Sequence, residues 1–214
     1  MITVEEARQY YQDADPVHDF DHVLRVLAMA EHLARLEGAD LDVVRQAALL
    51  HDISRLSDDN KSSGFSLQVP EETDHALLAA HTARHILAGD PSDFVDAVAH
   101  AIEAHRFRND IEPRTLEARI LFDADKLDAI GAVGVARAFA YAGAFGMPLW
   151  GDPSADYRPG VSDEAHTPRH EFEVKLKQIK DRLYTPSGRR LAEQRHRFMV
   201  AFFEQMAAEV RGER

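Results

Sequence analysis

The chain has 214 residues, 45% of them hydrophobic, with 11 Gly and 9 Pro, the composition of an ordinary globular domain with enough chain for a core. Acidic residues number 37 against 25 basic ones, a net charge of −12, which repels phosphate backbones and argues against long nucleic acid as a main partner. No cysteine is present, so disulfides and thiolate ligands are excluded, and that usage suits a cytoplasmic protein.

The N-terminus is acidic without an apolar stretch and does not read as a signal peptide. Thr3 followed by Glu6 predicts a capping box opening a short helix to about Gln12, which Asp15-Pro16 breaks. Asp19 starts a long helix through Glu37, with Gly38 as its stop. His22, Val26, Met29, Ala30 and Leu33 recur at helical spacing, so His22 belongs to the core-facing stripe. Asp40 caps the next helix, Leu41 to Asp52. Its apolar run Ala47-Ala48-Leu49-Leu50 ends in His51 and Asp52. Two coordinating side chains at the inner end of a buried helix cost free energy unless something charged satisfies them. Adjacent helical positions point about 100° apart, so this pair can straddle one ion.

After Ile53 the chain turns polar, with Arg55 and residues 58–64 forming a loop beside this candidate site. Asp74 caps a helix from His75 to about Ala88, on which His75, His81 and His85 do not share one face. Pro91 starts a helix to about Arg106 that carries His100 and His105, and Pro113 opens another to about Leu127. Apolar residues lie on both sides of that last helix, so periodicity does not choose between Asp123 and Asp125 as the residue turned towards His22 and His51. Ala129 to Trp150 could nearly span a bilayer, but Arg137 in its middle and its dilution by glycine favour a buried core helix. Gly146 to Arg169 is rich in proline and reads as a loop or lid within 146–169. Two helices, about Pro168–Leu183 and Pro186–Val210, close the chain, and the basic edge from Arg189 to Arg197 reads as a solvated face. The expected architecture is all-α, a single compact helical bundle spanning residues 1–214.

Three stretches carry a family resemblance: His18-Asp19-Phe20-Asp21-His22, Leu49-Leu50-His51-Asp52-Ile53, and Asp123-Ala124-Asp125-Lys126-Leu127-Asp128-Ala129-Ile130-Gly131-Ala132. They resemble the successive signatures of the HD-domain metal-dependent phosphohydrolases. Leu191-Ala192-Glu193-Gln194-Arg195-His196-Arg197-Phe198-Met199 is similar to the small bacterial branch of that superfamily. The resemblance implies one divalent metal ion held by His22, His51, Asp52 and Asp125; the last is chosen because the family's final ligand directly precedes Lys-Leu. It implies catalytic roles for Asp52, Lys126 and Asp128, the last orienting water or a substrate hydroxyl. His75 and His105 match by order the extra histidines of two-metal members, but the doubled histidine of the cyclic-dinucleotide-degrading branch is absent. They are expected beside the ion or on the substrate, with Arg25, Arg106 and Arg108 as further substrate contacts.

Two imidazoles and two carboxylates suit Mn²⁺ with open water positions, with Mg²⁺, Fe²⁺, Ni²⁺ and Zn²⁺ as alternatives. Such an ion polarises a phosphoryl oxygen and lowers the pKa of water, while protein cations balance the charge on the phosphoryl group. The expected function is therefore a metal-dependent phosphohydrolase for a small phosphorylated metabolite, foremost a nucleotide, acting as a phosphatase or nucleotide pyrophosphatase. The alternatives are a cyclic-nucleotide phosphodiesterase and a non-catalytic metal-binding regulatory module. An iron-storing bundle is disfavoured because Glu103 and His105 are two residues apart, not the three of a Glu-x-x-His pair. No membrane partner is expected, and the chain is expected to be a monomer or homodimer.

Overall fold

A computed structural model describes residues 1–11, 20–53, 74–107 and 110–213. Among the described residues there are nine α-helices and no strand. The expected break at Asp15-Pro16, the helix start at Asp19, the polar loop at 58–64, Arg55 and Arg108 lie outside the described residues. The chain divides into two compact units, Met1–Asp125 and Lys126–Arg214, with the boundary inside one helix.

The first unit holds α1 (Val4–Arg8), α2 (Phe20–Glu37), α3 (Leu41–Leu50), α4 (His75–Ile86), α5 (Ser92–Glu103) and most of α6 (Leu116–Asp128). The Thr3 hydroxyl accepts from the Glu6 amide at 3.2 Å, and the Glu6 carboxylate accepts from the Thr3 amide at 2.7 Å, completing the capping box. A 3₁₀ turn, Gln9–Tyr11, follows α1, and the buried Tyr11 hydroxyl donates to the Leu49 carbonyl at 3.0 Å, tying this turn to the end of α3. Helix α2 stops at Gly38, whose φ of 77° is open to glycine at little cost, and the Ala39 amide closes back on the Ala34 carbonyl at 3.1 Å. The Asp40 carboxylate then accepts from the Asp42 and Val43 amides, and its own amide donates to Glu117 on α6 at 3.1 Å.

Helix α3 packs against α2 and α5, and α4 against α5. Val44, Ala47, Ala48 and Leu50 on α3 are fully buried, as are Val23, Val26, Ala30 and Leu33 on α2. Small residues dominate the α4 stripe, Ala76, Ala79, Ala80 and Ala83, so it approaches its neighbours closely. Thr115 caps α6 through the Ala118 amide, and Ile120, Leu121 and Ala124 of α6 are fully buried.

The second unit holds the end of α6, α7 (Gly131–Ala144), α8 (Pro168–Val174) and α9 (Pro186–Val210), with α7 against α8 and α9. Residues 147–167 contain no regular helix, as their proline content predicts, and are closed on themselves and onto α8 by side chains. Glu164 accepts from the Ser154 hydroxyl at 2.7 Å, and the Thr167 hydroxyl, which also caps α8, lies 3.0 Å from the Gly151 carbonyl. The predicted helix over Pro168–Leu183 is instead α8 followed by a 3₁₀ turn, Leu176–Arg182. With three residues per turn, that geometry stacks the buried Leu176 and Ile179 on one side. No single described helix is long and apolar enough to cross a membrane; only α6 and α7 taken together pass that test by length and composition.

Candidate metal centre

The candidate centre is built where α2, α3, α5 and α6 of the first unit each contribute a polar side chain to an otherwise apolar interior. Helix α3 ends at Leu50, two residues earlier than expected, so His51 is its C-cap and Asp52 lies in the turn beyond. His51 Nδ1 lies 2.8 Å from the Ala48 carbonyl oxygen, which can only accept, so Nδ1 carries the proton and Nε2 presents its lone pair inward. His51 Nε2 lies 3.3 Å from His22 Nε2, and His22 Nε2 is 3.4 Å from Asp125 Oδ1. Ligand atoms of His22, His51 and Asp125 all fall within 4.8 Å of one another. Asp52 Oδ2 is 3.7 Å from His51 Nε2 and 3.8 Å from His22 Nε2.

Burial grades this cluster. His22, His51 and Asp52 are buried, while the Asp125 side chain is 16% exposed, so it forms the open edge. Burial pushes the His51 pKa below the ordinary imidazole value and His22 adds to this, against the opposing pull of Asp52 and Asp125. His51 is thereby kept neutral at pH 7, the form that ligates metal. A buried group of two imidazoles and two carboxylates, its nitrogen lone pairs converging, fits a divalent cation that would offset the buried negative charge.

His105 approaches Asp52 as well. It follows the end of α5, which stops at Glu103 and not at Arg106, and its Nδ1 lies 2.6 Å from the Ile102 carbonyl. That repeats the His51 arrangement and turns Nε2 to within 3.8 Å of Asp52 Oδ1. The signal for this in the sequence is an apolar helix end followed by histidine, present at both His51 and His105. Of the two places expected for His105, beside the ion or on the substrate, its 3.8 Å approach to Asp52 favours the first.

Arg25 lies on α2 three residues after His22, and His75 is the first residue of α4. The Arg106 guanidinium donates to Asp74 at 3.0 Å, the carboxylate that also caps α4, and so is engaged in an ion pair. Asp123 is fully buried, and Asp125 Oδ1 lies 3.4 Å from His22 Nε2. Lys126 and Asp128 open the second unit, where Asp128 is buried and accepts from Arg137 at 2.7 Å. Sequence reasoning treated Arg137 only as a charge in an apolar segment; its partner Asp128 is nine residues away, outside any local helical spacing rule.

The sequence model of the HD domain matches residues 19–130, a span that contains all four candidate ligands, and the chain belongs to the HD-domain family. It is 37% identical over 204 residues to the uncharacterized protein YpgQ of Bacillus subtilis, covering 94% of this chain and 88% of that one. The crystal structure of B. subtilis YpgQ in complex with ADP superposes with a TM-score of 0.71 at 31% identity, covering 99% of this chain and 100% of that one. A predicted HD superfamily hydrolase from an uncultured Thermotogales bacterium matches with a TM-score of 0.65 at 31% identity, over 96% of this chain and 90% of that one. Ribonuclease Y of Chloroflexus aurantiacus is 36% identical over 106 residues, 50% of this chain but 17% of that protein. The family is one of hydrolases whose HD domains bind divalent metals, and the His22, His51 and Asp125 cluster could hold such an ion.

Proposed function

We propose that the chain is a metal-dependent phosphohydrolase acting on a nucleotide, as a phosphatase or nucleotide pyrophosphatase. The observation that carries this reading is the convergence of His22, His51 and Asp125 ligand atoms within 4.8 Å, with Asp52 beside them. The nucleotide part is supported by the full-length likeness to YpgQ, which has been crystallised with ADP.

His22, His51, Asp52 and Asp125 would hold the ion, with Mn²⁺ the favoured identity for a mixed nitrogen and oxygen set. When bound, the ion supplies Lewis acidity towards a phosphoryl oxygen and lowers the pKa of water. The chain's own contributions are distinct. His51 and His105, each with Nδ1 committed to a carbonyl, hold fixed tautomers so that their Nε2 atoms act only as acceptors or ligands. Asp125 forms the open edge where a phosphate enters. Lys126 and Arg25 offset phosphate charge, with His75 and Arg108 as further contacts, and Asp128 orients a water or hydroxyl. Arg106 serves this role only by leaving Asp74.

One observation favours a second reading, a cyclic-nucleotide phosphodiesterase. His105 Nε2 near Asp52 Oδ1 brings one more donor to a carboxylate that could bridge two ions. A metal-by-substrate screen separates the readings, with phosphate, pyrophosphate and nucleotide products quantified separately. The proposal expects release of phosphate or pyrophosphate from linear nucleotides with Mn²⁺. Faster opening of cyclic substrates than of every linear one would contradict it.

A further inference from the structure

Helix α4 carries a second pair of histidines that the candidate centre does not use. His81 and His85 are four residues apart, so their side chains leave the helix on the same face, and both are exposed. Their Nε2 atoms approach to 3.0 Å, with the ring centroids 4.6 Å apart and the planes at 79°. Nothing in the burial of these rings forces them together. The buried stripe of α4 is Ala76, Ala79, Ala80 and Ala83.

Two nitrogen ligands at about 2.1 Å from one ion and about 90° apart are separated by about 3.0 Å. The histidine pair therefore already has the spacing of two adjacent positions in a coordination sphere. The electrostatic setting favours a cation. His85 is in the last turn of α4, where the helix dipole presents its negative end. Arg84, the cation on this stretch, is paired with Asp96 and Glu103. The chain as a whole carries a net charge of −12.

We infer that His81 and His85 form a surface chelate for a transition-metal ion of the imidazole-preferring class, Ni²⁺, Cu²⁺ or Zn²⁺. The site shares no residue with the His22, His51, Asp52 and Asp125 cluster and does not depend on the proposed hydrolytic function. Water completes the coordination sphere, so the ion remains accessible to further ligands from solvent.

The test uses untagged full-length protein titrated calorimetrically with Ni²⁺, comparing wild type with His81→Ala and His85→Ala. Both positions are exposed and alanine favours a helix, so the fold is retained, and unchanged far-ultraviolet circular dichroism checks this. Each variant is expected to take up one equivalent of Ni²⁺ fewer than wild type at concentrations that fill the wild-type site. Asp52→Ala, altered at the other centre, is expected to keep that equivalent. Electron paramagnetic resonance of the Cu²⁺ form gives an independent readout: two coupled imidazole nitrogens in Asp52→Ala, one or none when His81 is also replaced. Equal Ni²⁺ stoichiometry and affinity in wild type and both histidine variants would overturn the inference, leaving the 3.0 Å contact as a hydrogen bond between imidazoles.

Discussion

His51 and His105 show how a helix end fixes an imidazole. The last carbonyls of a helix have no intrahelical donor, and each histidine satisfies one of them through Nδ1, Ala48 for His51 and Ile102 for His105. The tautomer is thereby fixed by local backbone, and Nε2 is left to the centre. The pairing of His22, His51 and Asp52 was legible in the sequence because each interrupts an apolar helical stripe. The choice of Asp125 over Asp123 was not, because both flank the buried Ala124 on a helix with apolar residues on both sides; only the family resemblance chose. Replacing Asp52 by Ala removes a carboxylate that faces three imidazoles, so metal content and metal-dependent turnover should both fall by at least about 100-fold, with the helices retained. Metal analysis beside phosphate release measures this. Lys126→Ala should raise KM or lower kcat for a phosphorylated substrate while leaving metal occupancy unchanged, since a protonated lysine contacts phosphate but does not ligate a cation. Loss of the metal in that variant would assign Lys126 to the architecture of the centre.

At the scale of elements, sequence reading located the helices well where caps are side chains and less well where tertiary contact decides. Thr3, Asp40 and Asp74 cap as predicted, and Thr185 caps the helix read as starting at Pro186. The ends of α5 and α8 did not follow composition. His105 leaves the helix to reach Asp52, and the helix-favouring run after Lys175 tightens into a 3₁₀ turn that buries Leu176 and Ile179. The start of α7 depends on a missing side chain, since a Cβ at Gly134 would lie 2.2 Å from the Ala129 carbonyl oxygen. Gly134→Ala should therefore destabilise the second unit by about 1–3 kcal/mol, read from thermal or denaturant unfolding. On α8, Glu171 gives a pH dependence with a definite sign. Burial raises its pKa, but Lys175 and His166 outweigh this and hold it below the ordinary value. A carboxylate with a depressed folded-state pKa contributes stability above its unfolded pKa and loses it as pH falls through the folded value. Between about pH 5 and pH 3, wild type should therefore lose more stability than Glu171→Gln, and parallel Tm-against-pH curves for the two would contradict that assignment.

For the whole molecule, the acidic surface and the candidate centre select different things. A net charge of −12 opposes long polyanions at a distance, whereas a nucleotide bound at a cation responds to the local field. The likeness to ribonuclease Y covers half of this chain and 17% of that protein. The likeness to YpgQ, by contrast, extends over nearly the full length of both chains. The central claim is that one buried constellation in the first unit holds the catalytic ion, and anomalous X-ray scattering from Mn²⁺-reconstituted crystals tests it most directly. The account predicts a strong peak within coordination distance of His22 Nε2, His51 Nε2, Asp52 and Asp125, in crystals of protein that hydrolyses a linear nucleotide. Active, Mn²⁺-loaded crystals with no peak among those four residues would contradict it.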